Sequence, residues 1–227
     1  MWLISKIMCN ILQLLLGKIS MYFDRTLQEY LDDLAAAKST PGGGSASAIS
    51  GAMGAALATM VARFTLGKAE YADVQAEIEE IIQQTEKLRG RFQQLMQADI
   101  DAYGQLSAAY KLPRTTVEER ETRSKAIQAQ LVEAALVPLE MAEVAAQVMH
   151  HCRRIAEIGN VNVLSDVATG AILASSAGAG AAWIVRTNLR SMKDLELVNV
   201  LSDRLHRALD EITMYSQQIT GIVGSRA

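Results

Sequence analysis

The chain has 227 residues and a net charge of −3; half of its residues are apolar and only 5% are aromatic. An apolar fraction dominated by Ala, Leu, Ile, Val and Met favours helices over strands, and the length suits one large domain or two small ones. The interspersed charges form no basic stripe, which argues against a nucleic-acid partner. The two cysteines, Cys9 and Cys152, exclude a disulfide framework and a CxxC metal site, so a reducing cytoplasm is the simplest interpretation.

Residues 1–20 differ from the rest of the chain in being mostly apolar, with two lysines as their only charged residues. The stretch from Ile7 to Leu16 is too short to cross a bilayer, and no A-x-A cleavage site follows it. We interpret residues 1–20 as an apolar extension, not native to the domain, which then comprises residues 21–227 and starts at Met21. A signal anchor is the alternative interpretation.

The first half of the domain alternates between helical patterns and one glycine-rich break. Thr26 and Glu29 form a capping box that predicts a helix over 26–37. After the break at 39–45, residues 46–62 carry no charge. Residues 71–109 repeat apolar positions at 3–4 spacing for more than five heptads, which predicts a long bundled helix. Asp99 falls on the apolar row of that helix, where Leu or Ile is expected.

The second half repeats this organisation. Thr116 and Glu119 form a second capping box, which opens a long helix that Pro138 should kink and Gly159 should end. A polar run, 160–166, leads into the uncharged segment 167–185, and the last helix covers roughly 194–222. No strand pattern occurs. The sequence therefore predicts an all-α, antiparallel multi-helix bundle in a single domain, with the two uncharged segments as central buried helices rather than membrane spans.

Four polar features stand out against this apolar bundle. The segment Pro41–Ser45 stands directly before a helix, and the free backbone N–H groups at the helix start suit an anion or a polar ligand edge, although glycine runs of this kind also form plain loops. A buried Asp99 requires a partner or a proton, or it makes a structural contact. The run 160–166 can bind a ligand or cap a helix. Arg186 and Arg190 share a helix face, where they can bind an anion or complement the helix dipole.

The motifs around these features resemble one family in their content and order. They are STPGGGSASA at 39–48, F-T-L-G-K-x-x-Y at 64–71, D-x-D-A-Y at 99–103, A-A-Y-K-L-P at 108–113, V-P-L-E-M-A at 137–142, G-N-V-N-V-L-S-D at 159–166 and V-R-T-N-L at 185–189. The chain resembles the cyclodeaminase domain of formiminotransferase-cyclodeaminase and its stand-alone relatives, which include methenyltetrahydrofolate cyclohydrolases. Ile184 departs from the family, because relatives often carry Asn before V-R-x-N-L.

The resemblance implies a dimeric, cytoplasmic enzyme that acts on a tetrahydrofolate derivative without a metal or another cofactor. It implies either closure of 5-formiminotetrahydrofolate to the 5,10-methenyl form with loss of ammonia, or hydrolysis of the methenyl form. A non-catalytic, folate-like ligand-binding helical protein is the alternative. The excess of small-residue surface on 46–62 and 167–185 also favours a homodimer.

The expected site combines two catalytic aspartates with a set of binding residues. Burial should keep Asp99 protonated as the acid for the departing nitrogen, whereas Asp166 near a helix start should stay ionised and accept hydrogen bonds from the pterin. Arg186, assisted by Arg190 or Lys68, is expected to bind the glutamate tail. We expect the glycine turn, Asp99 and 160–166 to converge in one cleft. The remaining expected substrate-binding residues are Pro41, Gly42, Gly43, Gly44, Ser45, Asn160, Asn162, Ser165 and Asn188.

Overall fold

A computed structural model describes residues 22–226, so the interpretation of residues 1–20 lies outside the described residues. The described chain is helical and contains no strand. Its six α-helices are α1 (Leu27–Ala35), α2 (Gly43–Thr65), α3 (Gln75–Tyr110), α4 (Val117–Ile158), α5 (Leu164–Leu189) and α6 (Leu195–Arg226). Short 3₁₀ helices cover Tyr22–Asp24, Ala69–Val74 and Val161–Val163. The all-α prediction is confirmed.

The chain divides into two compact units, at Lys38 and Ser39. The described part of the first unit contains α1, which begins at the predicted capping box: the Thr26 hydroxyl accepts a hydrogen bond from the Glu29 N–H at 3.2 Å. Within the same unit, the Tyr22 hydroxyl donates to Asp33 at 2.9 Å. The capping bonds fix the start of the helix, and the bond from Tyr22 ties the segment before the helix to its last turn.

The second unit is built on close packing between the two uncharged helices, α2 and α5. A Cβ placed on Gly54 would lie 2.7 Å from the Gly170 carbonyl oxygen, so the backbones touch where both helices carry glycine. The Ser50 hydroxyl donates to the Leu173 carbonyl at 2.8 Å. Ser47 lies against Gly180. Contacts therefore run in opposite order along the two helices, and the start of α2 lies beside the end of α5.

Helices α3, α4 and α6 supply the rest of the core with the apolar rows that the sequence predicts. Phe92 of α3 is fully buried, and its ring lies where a Cβ on Gly51 would be, 2.3 Å from the nearest ring carbon. Helix α4 continues through the buried Pro138 and ends at Gly159, whose N–H donates to the Ile155 carbonyl at 2.7 Å. The helical pattern of 194–222 predicts an inward row on α6. Five of its six members are buried and Val198 is partly buried; the five are Leu201, Leu205, Ala208, Ile212 and Ile219.

Within residues 22–226, two helical segments are long and apolar enough to cross a membrane by length and composition: Gly43–Thr65 and Val161–Leu189, each with a mean hydropathy of 1.4. About half of each apolar window is buried inside the structure, at 56% and 44%. Core helices of soluble proteins have the same composition when they pack on several neighbours. The contacts of α2 and α5 with each other and with α4 are of that kind.

Candidate active site

The start of α2 is a compact turn built from small, uncharged residues. The helix begins at Gly43, after a cis peptide bond between Thr40 and Pro41. The Ser45 hydroxyl accepts a hydrogen bond from the Gly42 N–H at 3.2 Å and donates to the Gly42 carbonyl at 2.9 Å. These hydrogen bonds within the turn involve no charged side chain. The turn lies at the N-terminal end of α2, which is the positive end of the helix dipole.

Asp99 of α3 lies directly against this turn. A Cβ placed on Gly44 would come within 2.0 Å of Asp99 Oδ1, so only glycine leaves room for the carboxyl group. The Ser45 backbone N–H donates a hydrogen bond to the same carboxyl group. Asp99, the polar exception in the apolar row of α3, is therefore packed against the glycine turn Pro41–Ser45.

Burial raises the pKa of Asp99 from 3.8 to about 6, and the hydrogen bond from the Ser45 N–H opposes that rise. No basic group forms an ion pair with Asp99 among the described residues. Desolvation therefore dominates its titration. A carboxyl group with this pKa exchanges protons readily near neutral pH, which suits general acid or base chemistry.

Asp99 opens into a cavity of about 350 Å³. Its walls come from the turn before α2 and from α3, α4 and α5, and Asp99 is the one carboxyl group among the lining residues. The lining residues are Ser39, Thr40, Gly42, Gly43, Gly44, Asp99, Ala102, Tyr103, Leu106, Ala134, Trp183, Ile184, Thr187 and Asn188. An apolar cavity with one carboxyl group and a few polar atoms is the usual form of a small-molecule site.

Several residues expected in the site lie in or beside this cavity. Asn188 lines it and donates from its side-chain amide to the Ala134 carbonyl at 2.6 Å. Ile184, the departure from the family pattern, is part of the wall. Arg186 lies at the rim, with its guanidinium carbon 5.5 Å from the centre of the Trp183 ring. The structure therefore brings the glycine turn, Asp99 and the 184–188 segment together.

The polar run 160–166 lies at the other end of α2. The Asn160 N–H donates to the Thr65 hydroxyl at 2.9 Å, and its side-chain amide donates to the Phe64 carbonyl at 3.0 Å. Thr65 is 21 residues from Gly44 along α2, which corresponds to about 30 Å of helix. The expectation that all three motifs converge in one cleft is wrong within a single chain, because two helices packed in opposite directions hold their N-termini at opposite ends.

The buried Asn160 has a local structural task at that end. Its side-chain oxygen accepts hydrogen bonds from the Asn162 N–H at 3.0 Å and from the Asn162 side chain at 3.1 Å. Asn160 therefore caps the 3₁₀ turn Val161–Val163, which leads into α5. Asp166 lies in the first turn of α5. Lys68 precedes the 3₁₀ helix Ala69–Val74, after the end of α2, and is likewise remote from the cavity.

Two aromatic residues of the cavity were not assigned a role from the sequence. Tyr103 stands one helical turn after Asp99, and Trp183 interrupts a run of Ala and Gly in α5. The available signal was the spacing of four residues between Asp99 and Tyr103, which places both on one helix face. Among the described residues, no group of three or more His, Cys, Asp or Glu side chains is arranged to hold a metal ion.

Sequence similarity to known proteins identifies the family. Residues 26–207 match the formiminotransferase-cyclodeaminase family. A methenyltetrahydrofolate cyclohydrolase from Methylorubrum extorquens is 35% identical over 203 residues, which cover 89% of this chain and 98% of that protein. The rat formimidoyltransferase-cyclodeaminase is 30% identical over 203 residues, which are 89% of this chain but 38% of the rat protein.

A solved structure agrees with these sequence matches. The crystal structure of formiminotetrahydrofolate cyclodeaminase from Thermotoga maritima superposes with a TM-score of 0.81 at 31% identity, covering 88% of this chain and 96% of that chain. The chain therefore belongs to the formiminotransferase-cyclodeaminase family, which confirms the resemblance found in the sequence motifs.

Proposed function

We propose that the protein is a folate one-carbon enzyme, either a formimidoyltetrahydrofolate cyclodeaminase or a methenyltetrahydrofolate cyclohydrolase. The observation that carries this proposal is the position of Asp99: a carboxyl group with a pKa of about 6, held against the first turn of α2 in an otherwise uncharged cavity. The names of the relatives supply the substrate class. Asp99 supplies the proton transfer that both reactions need.

Cyclodeamination requires an acid at the departing nitrogen. The N10 nitrogen attacks the formimino carbon, so a C–N10 bond forms while the N10 proton passes to the formimino nitrogen. A second proton then converts that nitrogen to ammonia, its bond to carbon breaks, and the methenyl cation remains. Protonated Asp99 is the donor of the second proton in our proposal.

Cyclohydrolysis uses the same carboxyl group in its ionised form. Water adds to the methenyl carbon and gives up a proton, and the carboxylate of Asp99 is the acceptor. The C–N5 bond then breaks, N5 takes a proton, the remaining hydroxyl proton is released, and the 10-formyl product results. Asp99 needs no metal ion or other cofactor as a partner for either sequence of steps, and we propose that the enzyme requires only the folate substrate and, for hydrolysis, water.

The runner-up is a folate-like ligand-binding protein without activity. The observation that favours it is Ile184, an apolar residue in the cavity wall where relatives often carry Asn. Ligand binding alone, however, does not require a carboxyl group whose charged form is destabilised by burial. The enzyme therefore explains Asp99, and the binder does not.

We further propose a homodimer in which the bundle is antiparallel and the partner covers the uncharged face of α2 and α5. This face includes Met53 and Ile172, which are 52% and 66% exposed. A two-fold axis that lies in this interface and runs perpendicular to α2 and α5 would bring residues 160–166 of one copy to the cavity of the other. In that arrangement Asp166, Asn162 and Ser165 of the second copy complete the pterin site.

The cellular location and the binding partners are the last parts of the proposal. We propose a cytoplasmic protein that binds neither nucleic acid nor membrane, because folate one-carbon chemistry uses soluble substrates and the charges form no basic stripe. The glutamate tail of the substrate is proposed to bind Arg186 at the cavity rim, with Arg190 beyond it on α5. Lys68 lies at the opposite end of α2, so we assign it to the tail only through the second copy.

The test is an ultraviolet assay of methenyltetrahydrofolate, run in parallel with 5-formiminotetrahydrofolate as substrate and with methenyltetrahydrofolate itself. Formation of the chromophore identifies a cyclodeaminase, and accelerated loss identifies a cyclohydrolase. The pH dependence of kcat/KM separates the roles of Asp99: an acid loses activity above a pH of about 6, and a base loses it below. Binding of both compounds without turnover would leave the non-catalytic binder.

A further inference from the structure

The outer part of the cavity is lined by two exposed aromatic side chains from different helices. Trp183 of α5 is 67% exposed and Tyr103 of α3 is 45% exposed. Trp183 stands in a segment of Ala, Gly and Ser, where a small residue would suffice for helix packing. A large aromatic ring that is exposed to solvent beside a cavity is a candidate ligand contact, because a ligand that stacks on the ring removes its apolar surface from water and is stabilised by the stacking.

The position of Tyr103 relative to Asp99 sets its distance from the reacting atoms. Four residues along α3 correspond to about 6 Å, and the two side chains share one face of the helix. In both proposed reactions the reacting carbon is bonded to N10 in the methenyl form, and N10 is bonded directly to the aminobenzoyl ring. A reacting carbon at Asp99 therefore places the aminobenzoyl ring about one helical turn further along the cavity.

Arg186 gives the same end of the cavity a charge that matches the next part of the substrate. Its guanidinium carbon lies 5.5 Å from the centre of the Trp183 ring, which is within the range of a cation–π contact. The α-carboxylate of a folate's glutamate follows the aminobenzoyl ring by a single amide linkage. An aromatic surface with a cation beside it therefore matches an aminobenzoyl ring with a carboxylate beside it.

We propose that Trp183 and Tyr103 hold the aminobenzoyl ring of the substrate, with Trp183 as the main stacking surface. The inference rests on the proposed folate activity and adds two binding residues to it. Neither residue transfers a proton. Their contribution is to fix N10, and with it the reacting carbon, opposite Asp99.

The experiment uses the intrinsic fluorescence of Trp183 in the full chain. The chain has two tryptophans, so Trp2→Phe leaves Trp183 as the single tryptophan, which is excited selectively at wavelengths where tyrosine does not absorb. Titration with p-aminobenzoyl-L-glutamate, which lacks the pterin, should change the emission of Trp183 with saturation. Free L-glutamate at equal concentration should leave it unchanged, because the ring rather than the carboxylate is in contact with the indole.

Variants separate ring binding from a general effect on the fold. Trp183→Leu and Tyr103→Leu should each raise KM for the folate substrate by several-fold to about tenfold, and Trp183→Phe should restore most of the affinity. Tyr110→Leu is the matched control, because Tyr110 lies on the same helix, is 47% exposed and is outside the cavity. It should leave KM unchanged.

Two results would overturn the inference. Unchanged emission with p-aminobenzoyl-L-glutamate, together with a wild-type KM for Trp183→Leu, would show that the ring binds elsewhere. If the emission of Trp183 changes when the protein is diluted but not when the ligand is added, a second copy covers Trp183. Either result leaves the proposed function intact if wild-type protein turns over a folate, whereas absent turnover with intact ring binding would refute only the function.

Discussion

Replacing Asp99 by Asn should make the protein more stable at neutral pH while removing most of its activity. The carboxyl group is half-buried against Gly44 and accepts a hydrogen bond from the Ser45 N–H. An Asn carbonyl oxygen accepts the same hydrogen bond and carries no charge. The substitution therefore removes the penalty of burying the carboxylate while it keeps the shape and the polar contact.

The magnitude follows from the rise in the pKa of Asp99 from 3.8 to about 6. Between these values the folded protein holds a proton that the unfolded chain has released, so the free energy of unfolding falls as pH rises through this window. The full difference is about 3 kcal/mol. Asp99→Asn should match wild type near pH 3.5 and exceed it by up to about 3 kcal/mol at pH 8, while turnover falls by roughly 100-fold.

The measurement is urea unfolding of both proteins at several pH values and one fixed protein concentration, with turnover assayed alongside. Asp101→Asn is the control, because Asp101 is exposed on the same helix and accepts a hydrogen bond from Gln97 at 2.9 Å. All other titrating groups cancel in the comparison. If wild type and Asp99→Asn lose stability in parallel from pH 4 to pH 8, the carboxylate is not penalised by burial. Near-normal turnover of Asp99→Asn would exclude it as the acid or base.

Three further predictions test the surroundings of Asp99. Gly44→Ala places a methyl group where the carboxyl group lies, so turnover should fall by about 100-fold. Gly90→Ala is the control, because a Cβ on Gly90 has nothing within 4 Å and Gly90 does not line the cavity; it should keep wild-type turnover, and equal effects of the two would contradict the contact. Arg186→Ala should raise KM for the folate substrate more than it lowers kcat, and a pure kcat defect would remove it from the glutamate site. Inactive Asp99→Asn and Asp166→Asn subunits should recover about a quarter of wild-type activity when they are refolded together, if each site uses residues of both copies. Half of the dimers would then be mixed, and each mixed dimer would have one intact site of two. No recovery would place Asp166 outside the site.

Helix periodicity predicted most of the fold because burial in a bundle is set by helix faces. The rows on α3 that include Ile78, Phe92 and Leu106 are buried in the positions that 3–4 spacing gives. Both capping boxes begin helices where the side chains of Thr26 and Thr116 can accept hydrogen bonds from the backbone. These features depend on local sequence, which is why they were accessible without a structure.

The position of the polar run 160–166 was not accessible in this way. Its residues had the same signature as the glycine turn, a polar segment before an uncharged helix, and shared chemistry suggested a shared cleft. Hydrophobic patterns show which face of a helix is buried but not which ends of two helices meet. The contacts of Asn160 with Phe64 and Thr65 decide that question, and they place the run at the far end of α2.

The cavity combines a destabilised carboxyl group with walls that offer it no counter-charge, and this combination is compatible with either of the two proposed reactions. A basic partner would lower the pKa of Asp99 and hold it as a carboxylate, whereas full burial without the Ser45 N–H would raise the pKa further. A pKa of about 6 leaves both protonation states accessible near neutrality. The first turn of α2 can provide this balance only because its residues are small and uncharged. The choice between ammonia loss and hydrolysis then depends on what the remaining wall, including Ile184, admits beside the one-carbon bridge.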